Sequence, residues 1–76
     1  MKTLPVVSGK EVIKRLQKMG FVIKRVRGSH VHMIKRVNGM EFNVTVPVHG
    51  NRDLNPRVLK FILRQAGLSV EEFCRA

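Results

Sequence analysis

The sequence has 76 residues with 15 Lys or Arg, five Asp or Glu and three His, which gives a formal net charge of +10. A chain this short buries a single small core, so we expect one domain over residues 1–76, and its one cysteine, Cys74, excludes an internal disulfide framework and a cysteine-based zinc site. The excess of cations favours an anionic partner, such as nucleic acid, an anionic membrane or an acidic protein.

Membrane insertion and secretion are not expected. No stretch approaches the roughly 18 consecutive apolar residues of a membrane-spanning helix, and the N-terminal segment lacks the apolar run of a signal peptide. A reducing compartment suits a chain with a single cysteine. We therefore expect a cytoplasmic protein.

Helix signals come first along the chain. Ser8-Gly9-Lys10-Glu11 is an S-x-x-E capping box, in which the Ser8 hydroxyl accepts from the Glu11 amide while the Glu11 carboxylate reaches back. Gly20 is placed to end the helix with a left-handed residue. These signals predict a first helix between Ser8 and Gly20. Its apolar stripe, at helical spacing, consists of Val12, Ile13, Leu16 and Met19.

Three strand-like runs follow at residues 21–27, 30–37 and 40–48. Asn38-Gly39 is a strong signal for a type I′ hairpin between the last two runs. In the second run, Val31 and Met33 share one face, so His30 and His32 are predicted to point outward together from the other. The third run alternates, which is typical of a half-buried antiparallel strand. Its predicted buried face consists of Met40, Phe42, Val44, Val46 and Val48.

A second helix is predicted between Asn55, its cap, and Gly67, with Pro56 at the first helical position. Ser69 and Glu72 form another S-x-x-E box, which begins a short last turn. The resulting order is α-β-β-β-α. We expect an α+β fold in which a three-stranded antiparallel sheet carries both helices on one face, as in double-stranded-RNA-binding domains. The predicted buried stripe of the second helix is Val58, Leu59, Ile62, Leu63 and Ala66.

The three histidines are the main candidates for chemistry. Histidine has an ordinary pKa close to neutrality, so it gives and takes protons without special tuning. Cleavage of RNA through its own 2′-hydroxyl needs such a proton acceptor and also cations near the phosphate. On spacing alone, the simpler interpretation is that His30 opens a strand and that His49 fixes a turn. The cations that the strands bring near His30 are Lys24, Arg25, Arg27 and Arg36.

A metal site is the competing interpretation of the histidines. His30 and His32 share a strand face, and His49 would supply a third ligand for zinc. Basic neighbours repel a cation and no carboxylate or cysteine lies nearby in the sequence, so we expect neither a metal nor another cofactor.

Short motifs run in order through positions 4 to 74. They are Ser8-Gly9-Lys10-Glu11-Val12, Gly20-Phe21, Gly28-Ser29-His30, Val46-Pro47-Val48-His49, Leu63-Arg64-Gln65-Ala66-Gly67-Leu68-Ser69 and Glu72-Phe73. This ordered set resembles the HicA-type toxins of bacterial and archaeal toxin–antitoxin systems, which are small mRNA interferases.

The resemblance implies a double-stranded-RNA-binding-like fold, endoribonuclease activity on mRNA and neutralisation by a cognate HicB-type antitoxin. The catalytic histidine of the family is the one in Gly-Ser-His, which corresponds to His30. Pro47 and His49 match the Pro-Val-His element, so His49 is a possible secondary site residue. The residues expected to bind RNA are Lys24, Arg25, Arg27, Ser29, His32 and Arg36.

Two other functions remain open from the sequence. The chain could be an RNA-binding module without catalysis, which would bind RNA in a salt-sensitive way and leave it intact. It could also bind only an acidic protein, and would then have no affinity for RNA even at low salt.

Overall fold

The computed structural model describes residues 3–76. The element order confirms the predicted α-β-β-β-α arrangement, with the short last turn forming a third helix. Within the described residues, no helix is long and apolar enough to cross a membrane. The helices are α1 (Gly9–Lys18), α2 (Pro56–Ala66) and α3 (Val70–Arg75), and the strands are β1 (Val22–Arg27), β2 (His30–Val37) and β3 (Met40–Pro47).

The first capping box forms only in part. Ser8 Oγ accepts from the Glu11 amide at 3.2 Å, as predicted. The Glu11 carboxylate does not return to the cap, because it accepts from Arg15 Nε at 2.9 Å one helical turn further on. This hydrogen bond to Arg15 is the main reason why the pKa of Glu11 lies below its ordinary value.

The later helix ends follow the sequence signals. Asn55 Oδ1 accepts from the Arg57 amide at 2.8 Å, and Gly67 ends α2 in the left-handed conformation with φ of 68°. Ser69 and Glu72 exchange both hydrogen bonds of the capping box, at 3.1 and 2.9 Å. The hydrogen bonds from the Ser69 backbone and side chain lower the pKa of the Glu72 carboxyl.

The sheet is antiparallel in the order β1-β2-β3. Asn38 and Gly39 both have positive φ, 50° and 80°, as a type I′ turn between β2 and β3 requires. The pairing of β1 with β2 shifts at Lys24, which lies between two paired positions as a β-bulge. β1 begins one residue later than predicted and β3 ends at Pro47, one residue earlier.

One face of the sheet, here called the inner face, packs against the helices. Val31 and Met33 of β2 and Val44 and Val46 of β3 are buried on it. They share one core with buried residues of all three helices, which confirms that the helices cover the same face. The helical members of that core are Val12, Leu16, Leu59, Ile62, Leu63, Ala66 and Phe73.

The core is smaller than the sequence pattern predicts. Met40, predicted to be buried, is 61% exposed, since it lies at the hairpin end of the sheet. Val58, assigned to the buried stripe of α2, is 36% exposed because Leu59 and Ile62 of that helix face the core more directly. β1 is exposed along its whole length, including Ile23 and Val26, which lie opposite buried residues of β2.

At Gly9, the backbone of α1 lies close to the end of β3. A Cβ atom at this position would lie 2.3 Å from the Pro47 carbonyl oxygen. Gly9→Ala therefore forces α1 away from β3, and we expect it to lower the free energy of unfolding by about 1–3 kcal/mol. Urea denaturation measures this change. Lys10→Ala, one residue further along the helix and exposed, is the control, and an equally stable Gly9→Ala variant would contradict the contact.

Candidate functional site

The face of the sheet opposite the helices, here called the outer face, carries most of the candidate residues. Residues directly opposite each other in an antiparallel pair share a face, with Cβ atoms about 5 Å apart. The pairing therefore places side chains from the strands in rows across the outer face. These rows are Arg27–His30–Pro47, Arg25–His32–Thr45, Val22–Ile34–Asn43 and Arg36–Glu41.

His30 lies at the end of the outer face, where the two-residue turn Gly28-Ser29 joins β1 to β2. Gly28 has a φ of 58°, as the first position of a type II′ turn requires. The Val48 amide donates to the Ser29 carbonyl at 2.7 Å, which ties the end of β3 to this turn. The His30 side chain is exposed. A fixed turn thus holds an imidazole that a ligand in solution can reach.

His32 occupies the next row and is more constrained. Its side chain is half-buried, and Nδ1 lies 3.1 Å from the Thr45 hydroxyl oxygen, within hydrogen-bond distance. Thr45 is a site residue that the sequence analysis missed. The alternation of β3 already placed Thr45 on the outward side, but the row that it shares with His32 follows only from the pairing of β2 with β3.

The predicted RNA-binding cations divide into two groups along the outer face. Arg25 and Arg27 lie in the rows of the two histidines. Arg36 is six residues from His30 on the same strand, which corresponds to about 20 Å, so the structure does not bring the two together. Lys24 lies with Arg36 beside a shallow depression of about 330 Å³. The residues around that depression are Gly20, Val22, Lys24, Ile34, Lys35 and Arg36.

Arg36 also has an acidic partner. Its Nε donates to Glu41 at 2.9 Å, and Asn43 donates to the same carboxylate at 3.1 Å. The hydrogen bonds from Asn43 and Arg36 hold the pKa of Glu41 below its ordinary value. Part of the charge of Arg36 is therefore already balanced, whereas in the described residues Arg25 and Arg27 have no ion pair.

The remaining predicted residues lie at the margin of this site. Ser29 is half-buried in the turn before His30, and its carbonyl is engaged by Val48. His49 is exposed and belongs to no strand, and its carbonyl accepts from the Arg52 amide at 3.1 Å. This bond agrees with the simpler interpretation that His49 takes part in a turn.

The three histidines do not form the zinc site that was considered as an alternative. Across residues 3–76, no group of three or more His, Cys, Asp or Glu side chains is close enough to hold a metal ion.

The outer face near the turn thus combines two imidazoles with two guanidinium groups, those of Arg25 and Arg27, that have no ion pair among residues 3–76. Guanidinium groups bind phosphate through paired N–H donors. Imidazoles accept and donate protons near neutral pH. This end of the sheet is therefore equipped to hold a phosphodiester and to move protons at its oxygen atoms.

Sequence comparison identifies the family. No curated protein matches the chain significantly. The family model described as HicA toxin of bacterial toxin-antitoxin matches residues 9–68, a segment that includes α1, the whole sheet and α2. Because this match covers most of the 76 residues, the chain belongs to the HicA toxin family, whose members are toxins of toxin–antitoxin systems.

Proposed function

We propose that this toxin is a metal-independent endoribonuclease that cleaves mRNA, with His30 as its catalytic histidine. The observation that carries the proposal is the position of His30, an exposed imidazole on the outer face in the same row as Arg27. A proton acceptor and a phosphate-binding cation are the two groups that RNA cleavage through the 2′-hydroxyl requires.

The proposed reaction is an attack of the 2′-hydroxyl on the adjacent phosphorus atom. His30 takes the proton of that hydroxyl as the new O–P bond forms. Arg25 and Arg27 bind the non-bridging phosphate oxygens, where negative charge increases in the transition state. The bond to the 5′-oxygen of the next nucleotide breaks, and that oxygen gains a proton. The products are a 2′,3′-cyclic phosphate and a 5′-hydroxyl end.

The rest of the outer face would hold the RNA backbone. A net charge of +10 favours phosphate binding with release of counterions, and such binding weakens steeply as salt rises. The α-β-β-β-α order is also that of double-stranded-RNA-binding domains, which supports RNA as the ligand. The residues proposed to contact RNA are Lys24, Arg25, Arg27, Ser29, His32 and Arg36, with His49 as a possible secondary contact.

The direct test is incubation of the purified protein with a defined mRNA. We expect fragments with 5′-hydroxyl and 2′,3′-cyclic phosphate ends, and undiminished cleavage in EDTA. Cleavage that EDTA abolishes would contradict the metal-independent mechanism. Intact RNA together with salt-sensitive binding would replace the proposal with that of a non-catalytic RNA-binding module, the alternative that the sequence left open.

Measurements of RNA affinity at several salt concentrations test Arg25 and Arg27, which form no ion pair with any residue that the structure describes. Arg25→Gln and Arg27→Gln are each expected to weaken RNA binding and to reduce the slope of log affinity against log salt by about one, because each removes one phosphate contact. Lys60→Gln removes the same charge from the exposed side of α2 and is the matched control. Equal effects of all three variants would indicate that RNA affinity depends on net charge and not on contacts with the outer face.

A HicB-type antitoxin is the proposed protein partner. Because mRNA is the proposed substrate, the proposed site of action is the cytoplasm. Membership of a toxin family supports the existence of an antitoxin. β1 supports contact with an acidic protein, because it exposes apolar residues between cations next to the row of His30. The apolar residues are Val22, Ile23 and Val26, and the cations are Lys24, Arg25 and Arg27.

A further inference from the structure

Cleavage of a phosphodiester requires two proton transfers, and one histidine provides only one of them. The 2′-hydroxyl must lose a proton as it attacks, while the departing 5′-oxygen must gain one. We propose that His32 supplies the second transfer and protonates the 5′-oxygen. This inference rests on the proposed ribonuclease function and adds a catalytic residue to it.

The first support is the spacing of the two rings. His30 and His32 are two residues apart on β2 and lie in neighbouring rows of the outer face. Side chains at such positions are about 7 Å apart on the same face of a strand. This separation accommodates one phosphate with a hydrogen bond of about 3 Å on each side. One imidazole can therefore approach the attacking oxygen while the other approaches the leaving oxygen.

The second support is the contact between His32 and Thr45. The Thr45 hydroxyl lies 3.1 Å from Nδ1 and occupies that nitrogen, so Nε2 is the atom left for a ligand. In a protonated ring both nitrogen atoms donate, and the hydroxyl oxygen accepts from Nδ1. Thr45 therefore fixes the ring of His32 in an orientation compatible with a general acid. His30, exposed at the end of the strand, suits the role of the base.

Cations surround the space between the two rings. Arg25 lies opposite His32 on β1, and Arg27 and His30 lie in the adjacent row, whereas Thr45 on β3 is uncharged. The acidic Glu41 is engaged with Arg36, two rows further along. Arg25 and Arg27 are therefore placed to bind a phosphate held between His30 and His32.

The proposed step balances without a metal or a water molecule. The 2′-oxygen bonds to phosphorus and its proton passes to His30. The bond from phosphorus to the 5′-oxygen breaks, and the proton of His32 passes to that oxygen. His30 ends protonated and His32 neutral. Exchange of protons with solvent restores both residues before the next cleavage.

The experiment compares two substrates that differ only in the leaving group. One is a dinucleotide, whose 5′-oxygen needs a proton to depart. The other is the corresponding nucleoside 3′-(p-nitrophenyl phosphate), whose phenolate departs without one. The variants are His30→Asn, His32→Asn and Thr45→Val, and the asparagine at position 32 retains a polar group near Thr45.

We expect His32→Asn to lower kcat on the dinucleotide about 100-fold or more, within the usual range for one general acid, and to lower kcat on the p-nitrophenyl substrate much less, because the phenolate departs without a proton. Thr45→Val is expected to show the same selective loss to a smaller extent, as a positioning residue. His30→Asn should lose activity on both substrates.

If His32→Asn cleaves the dinucleotide at the wild-type rate while His30→Asn is inactive, the role of His32 is overturned and the ribonuclease proposal stays intact. An equal loss on both substrates would also overturn it, since an acid is not needed for phenolate departure. A wild-type protein that cleaves neither substrate nor mRNA would instead overturn the proposed function.

Discussion

His30→Asn is expected to lower the rate of mRNA cleavage by the purified toxin about 10²- to 10⁴-fold, the usual contribution of one general acid–base group. The effect follows from the position of His30 beside Arg27 at the turn end of the outer face. Because the side chain is exposed, its replacement leaves the core unchanged, and the stability of the protein should stay within about 0.5 kcal/mol of wild type.

The measurement is the rate of appearance of 5′-hydroxyl ends from a defined mRNA, together with growth after induction of each variant. Circular dichroism and urea denaturation provide the folding control. A folded His30→Asn variant that still cleaves RNA and arrests growth at the wild-type rate would contradict the assignment.

Phe73→Ala is expected to lower the free energy of unfolding by about 3–5 kcal/mol. Phe73 is fully buried although it lies in the six-residue α3, outside the segment matched by the family model. Its ring also lies under the Arg15 guanidinium, with 5.0 Å from Cζ to the ring centroid. Small domains are stable by only about 5–15 kcal/mol, so this one change removes a large part of the total.

Urea denaturation measures the effect of Phe73→Ala. Glu71→Ala is the matched control, because Glu71 is exposed in the same helix and takes no part in the capping box formed by Ser69 and Glu72. We expect the control to stay within about 0.5 kcal/mol of wild type. Equal stabilities of Phe73→Ala and Glu71→Ala would indicate that α3 does not contribute to the core.

Features with local causes were predictable from the sequence. Helix caps and tight turns depend on residues within three positions of each other. The predicted caps of α2 and α3 and the Asn38-Gly39 turn are all present in the structure. The outward direction of His30 and His32 followed from the alternation of β2, because Val31 and Met33 had to be buried. The exposed location of His30 could therefore be predicted from the sequence alone.

Features that depend on strand pairing were not predictable in the same way. The bulge at Lys24 sets which β1 residues share the rows of His30 and His32, and no local motif marks it. Arg36 was predicted among the cations near His30, but six residues of β2 separate the two by about 20 Å. Strand pairing adds that Arg36 lies opposite Glu41. The row that His32 shares with Thr45 likewise depends on the pairing of β2 with β3.

The two edges of the sheet differ in how far they are covered. This difference limits the addition of strands from other chains by backbone hydrogen bonds. The Thr45 amide on the edge of β3 donates to Gln65 Oε1 of α2 at 3.4 Å, so a helix occupies part of that edge. β1, at the other edge, is exposed throughout. A strand from another chain can add beside β1, but the helix obstructs addition beside β3. Strand addition would therefore stop at a pair of chains and not extend into a fibre.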